Sequence, residues 1–73
     1  MIIYTKHAES RIQQRKLNKS EIEDTILNPA KTILSFRERQ LAQKLFAGKI
    51  LEVVFKKEDN NFIILTAYWL KEE

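Results

Sequence analysis

The chain has one histidine, His7, and arginines follow it at Arg11 and Arg15, four and eight residues on. On a helix that spacing stacks the three side chains along one side, about a turn apart. An imidazole exchanges protons near neutrality, with an unperturbed pKa of ~6.5. Guanidinium groups are permanently charged and grip phosphate oxygens through paired N–H donors. Together they suit chemistry at a phosphate. Near the other end, "FIILTAYWL" carries Thr66 and Tyr68 two residues apart, so strand alternation puts both hydroxyls on one face. Tyr68 could donate to a departing oxygen or stack on a base, and Thr66 could donate to a phosphate. A structural role is the alternative for each. His7 could tie its helix to a strand carbonyl, Arg11 and Arg15 could lie over Ile12 and Leu17 and pair with acids, and Tyr68 and Trp69 could be core or rim aromatics.

These residues need elements to position them. Thr5 suits an N-cap, and the absence of glycine, proline and β-branched runs predicts a first helix over about residues 6 to 16. Around that helix Ala8 and Ile12 lie about 100° and 140° from His7, and Arg11 and Arg15 fall between His7 and this apolar stripe. They form a band along one flank of the buried face. In "NKSEIEDTILNP", Asn18 followed by Glu21 is a variant capping box, Ile22, Ile26 and Leu27 are the apolar side, and Asn28-Pro29 ends the helix. Everything after Pro29 reads as extended: "KTILSF", an "RER" turn, "QLAQKLFA", a Gly48-Lys49 turn, "ILEVVFKK", "EDNN" as hairpin chemistry, and "FIILTAYWL". Alternation on this last strand assigns Phe62, Ile64, Thr66 and Tyr68 to one side and Ile63, Leu65, Ala67 and Trp69 to the other. The expected fold class is α+β, with two N-terminal helices packed on one face of a roughly four-stranded antiparallel sheet.

Composition bounds the possibilities. With 73 residues the chain is expected to be a single domain over residues 1–73, and its 44% apolar content is ample for a core. It has no cysteine, which excludes disulfides and thiolate metal sites. No cluster has metal-ligand spacing and no Gly-rich loop could cradle a nucleotide, so neither metal nor cofactor is expected. No apolar run approaches a signal peptide or a membrane span, which leads to the expectation of a soluble, cytoplasmic chain. The net charge is +3, unevenly spread: residues 1 to 20 carry five bases against Glu9, and residues 31 to 57 carry seven against Glu38 and Glu52. The acids gather in "EIED", "KKED" and "KEE". Such segregation is compatible with a basic face for an anionic ligand, or with a solvated surface.

"TKHAESRIQQRKLNKSEIEDTILNPAKTI", followed by "GKILEVVFKKEDNNFIILTAYW", resembles a widespread uncharacterised bacterial family of small domains. Its members open on His-Ala-x-x-Arg-x-x-x-Arg, continue through a Ser/Glu-x-Ile/Val-Glu helix ending at Asn/Pro, and close on a strand containing Thr-Ala-Tyr. The resemblance covers nearly the whole chain, and it rests on the order and spacing of short motifs. It implies the broad fold of the RelE and ParE toxins, barnase-like and EndoU-like nucleases and colicin-type RNases. Many members have glycine where Lys16 stands, so the first helix is expected to end differently here. On this footing the expected function is a metal-independent, toxin-like endoribonuclease, in which a 2′-hydroxyl attacks the adjacent phosphate. His7, Arg11, Arg15, Thr66 and Tyr68 would form its site, and Lys6, Arg37, Arg39 and Lys44 would make secondary contacts to the RNA backbone. An antitoxin-like protein would be its partner. Fold does not carry activity with it, and ParE-type relatives act on protein partners. The alternative is therefore a non-catalytic module of the same fold that binds protein or nucleic acid.

Overall fold

Thr5 starts the first helix from an extended backbone, φ −70° and ψ 163°, and its hydroxyl accepts from the Ala8 amide at 3.0 Å. That bond satisfies one of the donors a first turn leaves unpaired. In the computed structural model, which describes residues 1–35 and 37–70, α1 runs Lys6–Gln14 with Arg15 as its C-cap. Lys16 then adopts φ +54°. Its amide donates to the Gln13 carbonyl at 3.2 Å, and the Leu17 amide donates to the Ile12 carbonyl at 2.9 Å. This is the Schellman closure that glycine most often provides. Here a lysine makes that left-handed turn, at a conformational cost.

Helix α2 spans Lys19–Leu27 and ends at Asn28. Its N-cap Asn18 accepts from the amide and hydroxyl of Ser20, at 2.8 and 2.9 Å, so the side-chain cap is made with Ser20 rather than through Glu21. The extended half of the chain forms β2 (Lys31–Leu34), β3 (Arg39–Phe46), β4 (Lys49–Glu58) and β5 (Asn61–Trp69). Phe36, the last residue of the expected "KTILSF" strand, lies outside the described residues, as does the terminal "KEE".

These four strands form the expected antiparallel meander. The sheet has a fifth member: β1 (Ile2–Tyr4) lies parallel to β5, with Ile2 opposite Phe62 and Tyr4 opposite Ile64, and the order is β1-β5-β4-β3-β2. The expectation of four antiparallel strands is corrected to five in a mixed sheet. Three residues are too few to display alternation, and a parallel pairing between the two ends of the chain leaves no hairpin turn to read.

Both helices cover one face. Ala8 and Ile12 from α1 and Ile22 and Ile26 from α2 pack with Ala42, Leu51, Val53, Phe55, Ile64 and Ala67, each large aliphatic contributing about 1.5–3 kcal/mol by leaving water. Among the described residues no helix is long and apolar enough to cross a membrane.

The alternation expected of β5 breaks midway. Val54 opposes Thr66 but Phe55 opposes Ile64, which leaves Leu65 without a partner. The extra residue is a β-bulge, and it reverses the facing of the residues beyond it. Ile64 and Ala67, three apart, are therefore both fully buried under the helices. Thr66 and Tyr68 still share a face, but it is the face opposite Phe62 and Ile64, where no helix among the described residues packs.

Candidate functional site

Helix α1 is pinned to β5 at both ends. At its start the Thr5 amide and hydroxyl both donate to the Ile64 carbonyl, at 3.2 and 3.1 Å. At its end Arg15 Nη1 donates to the Ala67 carbonyl at 2.9 Å. Strand β1 accompanies β5 only as far as Ile64, so Ala67 lies past the end of its neighbour and its carbonyl is open to the guanidinium. From there Arg15 reaches the helix-free face. Nη1 is 3.5 Å from Thr66 Oγ1, and the guanidinium carbon stands 6.0 Å from the centre of the Tyr68 ring.

One turn earlier, Arg11 donates through Nη1 to Gln14 Oε1 at 2.9 Å and through Nε to His7 Nε2 at 3.4 Å. His7 is exposed; the tie to a strand carbonyl that it could have provided is made by Thr5. The structure thus brings Arg15, Thr66 and Tyr68 into contact, with Arg11 and His7 continuing along the same side of α1.

Two further residues belong to this group. The Tyr68 hydroxyl donates to Glu52 Oε2, and Gln43 Nε2 donates to Glu52 Oε1 at 2.7 Å. All three sit in one cross-strand row, Gln43 opposite Glu52 and Glu52 opposite Tyr68. Glu52 is only 6% exposed, and among the described residues no lysine or arginine forms an ion pair with it. Burial, then the bond to Glu52 and its charge, push the Tyr68 phenol up to about 12, against the opposing pull of Arg15. Sequence reasoning passed over Glu52 and Gln43. The signal was a carboxylate in mid-strand, in "ILEVVF", because carboxylates are almost never buried without partners.

The secondary bases are placed differently. Lys6 is exposed in the first turn of α1 beside His7. Lys44 pairs with Asp24 of α2 at 2.8 Å, on the helix-bearing face, where its bond and that of Asn28 hold the Asp24 carboxyl below the usual carboxylate range. Arg37 lies in the turn before β3. Arg39 opposes Lys56, four residues along β4 from Glu52, a separation of about 13 Å. The cluster around Arg15 does not include these three.

Two helices on one face, and on the other a cluster of arginine, hydroxyls and a buried carboxylate at the open end of β5, define a small α+β domain with a polar site at its sheet edge. A family model described as a domain of unknown function, DUF4258, matches residues 4–69, and the chain belongs to that family. No curated protein and no solved structure matches the chain.

Proposed function

We propose that this chain is a metal-independent endoribonuclease of the toxin type, with the RelE/barnase-like arrangement of helices on a sheet, acting in the cytoplasm and restrained by a protein partner. The observation that carries the reading is the meeting of α1 with the end of β5, where Arg15 bonds Ala67 and stands over Tyr68. Arg11 and Arg15 hold the phosphate, and Thr66 adds a hydroxyl donor. When Arg11 turns to the phosphate, Nε2 of His7 is released to take up a proton. The 2′-hydroxyl gives its proton to the Tyr68 oxygen as that phenol passes its own proton to the Glu52 carboxylate, the 2′-oxygen bonds to phosphorus, the bond from phosphorus to the 5′-oxygen breaks, and His7 gives the proton it has taken up to that oxygen. The test is incubation of structured and unstructured RNAs with the chain, with and without a chelator. Cleavage to 2′,3′-cyclic phosphate ends, chelator-insensitive and lowered at least about a hundredfold in His7→Ala, is the expected result. Intact RNA, or equal cleavage by His7→Ala, refutes it.

A second reading is favoured by one observation: Tyr68 gives its proton to Glu52, and Arg15 is held by a backbone carbonyl. Both groups are thereby engaged within the chain, as in a binding module that performs no chemistry. Such a module retains its ligand in His7→Ala and loses it on charge reversal at Arg11 and Arg15.

A further inference from the structure

A buried carboxylate on the helix-free face, with no cation among the described residues paired to it, has a directional consequence. Each Glu52 oxygen has a neutral donor: Gln43 Nε2 holds Oε1 at 2.7 Å, and the Tyr68 hydroxyl is bonded to Oε2. Gln43 fixes the carboxylate, and the carboxylate fixes the direction of the phenolic proton. A hydroxyl has one proton and two lone pairs. With its proton turned inward to Glu52, Tyr68 offers only lone pairs to anything arriving from solvent. Its outward character is that of an acceptor backed by a negative charge, the reverse of the donor role the sequence suggested.

Beside this acceptor stands a cation. The guanidinium carbon of Arg15 is 6.0 Å from the Tyr68 ring centre, and Arg15 Nη1 is 3.5 Å from Thr66 Oγ1. The pair asks for a ligand with a hydrogen-bond donor next to an anion. A ribonucleotide unit has that combination, because its 2′-hydroxyl and 3′-phosphate are carried on adjacent ribose carbons; a deoxyribonucleotide has the anion alone.

We propose that Tyr68, oriented by Glu52 and Gln43, accepts a hydrogen bond from the 2′-hydroxyl of a ribose whose 3′-phosphate is held by Arg15, and so selects RNA over DNA. This rests on the reading of the site as one for RNA, and it names the residues that determine that specificity. Tyr68 touches the ligand; Glu52 and Gln43 act through it as positioning residues. In Glu52→Gln the side-chain amide donates toward the phenol, the phenolic proton turns outward, and the preference disappears with the fold intact.

The test is fluorescence anisotropy with three labelled octamers of one mixed sequence: ribo, 2′-deoxy and 2′-O-methyl. The third keeps the oxygen and lacks the proton. Binding is measured on the wild-type chain and on His7→Ala, in which the proposed cleavage is lowered at least about a hundredfold. The ribo octamer is expected to bind about tenfold more tightly than the other two. That ratio should fall to about one in Tyr68→Phe and in Glu52→Gln, whose far-ultraviolet circular dichroism should match the wild type. Equal binding of ribo and deoxy octamers by the wild-type chain overturns the proposal, and so does a ratio that survives in both variants. A chain that shows the preference but leaves RNA uncut sustains this inference and refutes the nuclease reading. A chain that cuts RNA with its ribo preference unmoved in Tyr68→Phe does the opposite.

Discussion

Arg15 is the residue on which the assembly of the site turns, and its removal has a calculable cost. Arg15→Met keeps a long stem and a good helix former at the end of α1 while removing the guanidinium. The bond to the Ala67 carbonyl is lost, and that carbonyl, at the open edge of β5, can turn to water instead. The cost is then about 1 kcal/mol, below the usual range for a charged hydrogen bond. The contact with the Tyr68 ring, 6.0 Å from its centre, adds about 0.5 kcal/mol at so exposed a position. For a chain of 73 residues the unfolding entropy is about 0.15 kcal/mol/K, so a loss of about 1.5 kcal/mol lowers Tm by about 10 °C. Thermal unfolding by circular dichroism measures this directly. A cycle of Arg15→Met, Tyr68→Leu and the double variant should return a coupling of about 0.5 kcal/mol between them. Arg15→Lys keeps the charge but not the planar fork, and should recover no more than about half of the loss. If Arg15→Met melts within about 2 °C of the wild type and the cycle shows no coupling, Arg15 is a solvated side chain, and the junction of α1 with β5 is not held as described.

Other perturbations test the turn after α1, the bulge in β5 and the bond between Tyr68 and Glu52. Lys16→Gly relieves the left-handed turn that ends α1 and should raise Tm by about 3 to 6 °C, the equivalent of about 0.5–1 kcal/mol; a lower Tm would mean that the Schellman closure is not strained. Deletion of Leu65 removes the bulge but leaves Thr66 opposite Val54 and keeps Ala67 and Trp69 under the helices, so the dispersed amide NMR spectrum should persist; its collapse would refute the assigned register. The Tyr68 phenol, about 12 in the fold against an ordinary value near 10, keeps its proton after the unfolded chain has lost it. Its contribution to stability is therefore whole below pH ~10 and declines as pH rises toward 12. The stability difference between the wild type and Tyr68→Phe, measured by urea unfolding, should shrink across that range, and a constant difference would contradict the bond to Glu52.

How much of this fold is legible in the sequence depends on the range of the interactions. Thr5, Asn18 and Asn28-Pro29 are local signals whose partners lie within a turn, and both helices form close to the expected positions. The hairpin strands are legible for the same reason. Strand β1 is not, because "IIY" acquires its meaning only from Phe62, Ile63 and Ile64 at the far end of the chain. Glu52 is visible as an oddity in "ILEVVF", yet its partners come from two other strands, Gln43 on β3 and Tyr68 on β5, and a row across a sheet cannot be read along one segment.

The spacing of His7, Arg11 and Arg15 and the pairing of Thr66 with Tyr68 are local patterns that hold in the fold, but strict alternation along β5 would have destroyed the site. With Ile64 fixed under the helices, unbroken alternation sends Thr66 and Tyr68 into the core and turns Ala67 and Trp69 outward. The extra residue at Leu65 resolves that conflict: Ile64 and Ala67 can both be buried, and the two hydroxyls emerge on the helix-free face beside Glu52. The shortness of β1 supplies the other half of the arrangement, because a strand continued past Tyr4 would run along β5 beside Ala67, where Arg15 now bonds the carbonyl. The site is therefore built from two interruptions of sheet regularity, a bulge and a truncated neighbour. In a sequence, both look like ordinary strand.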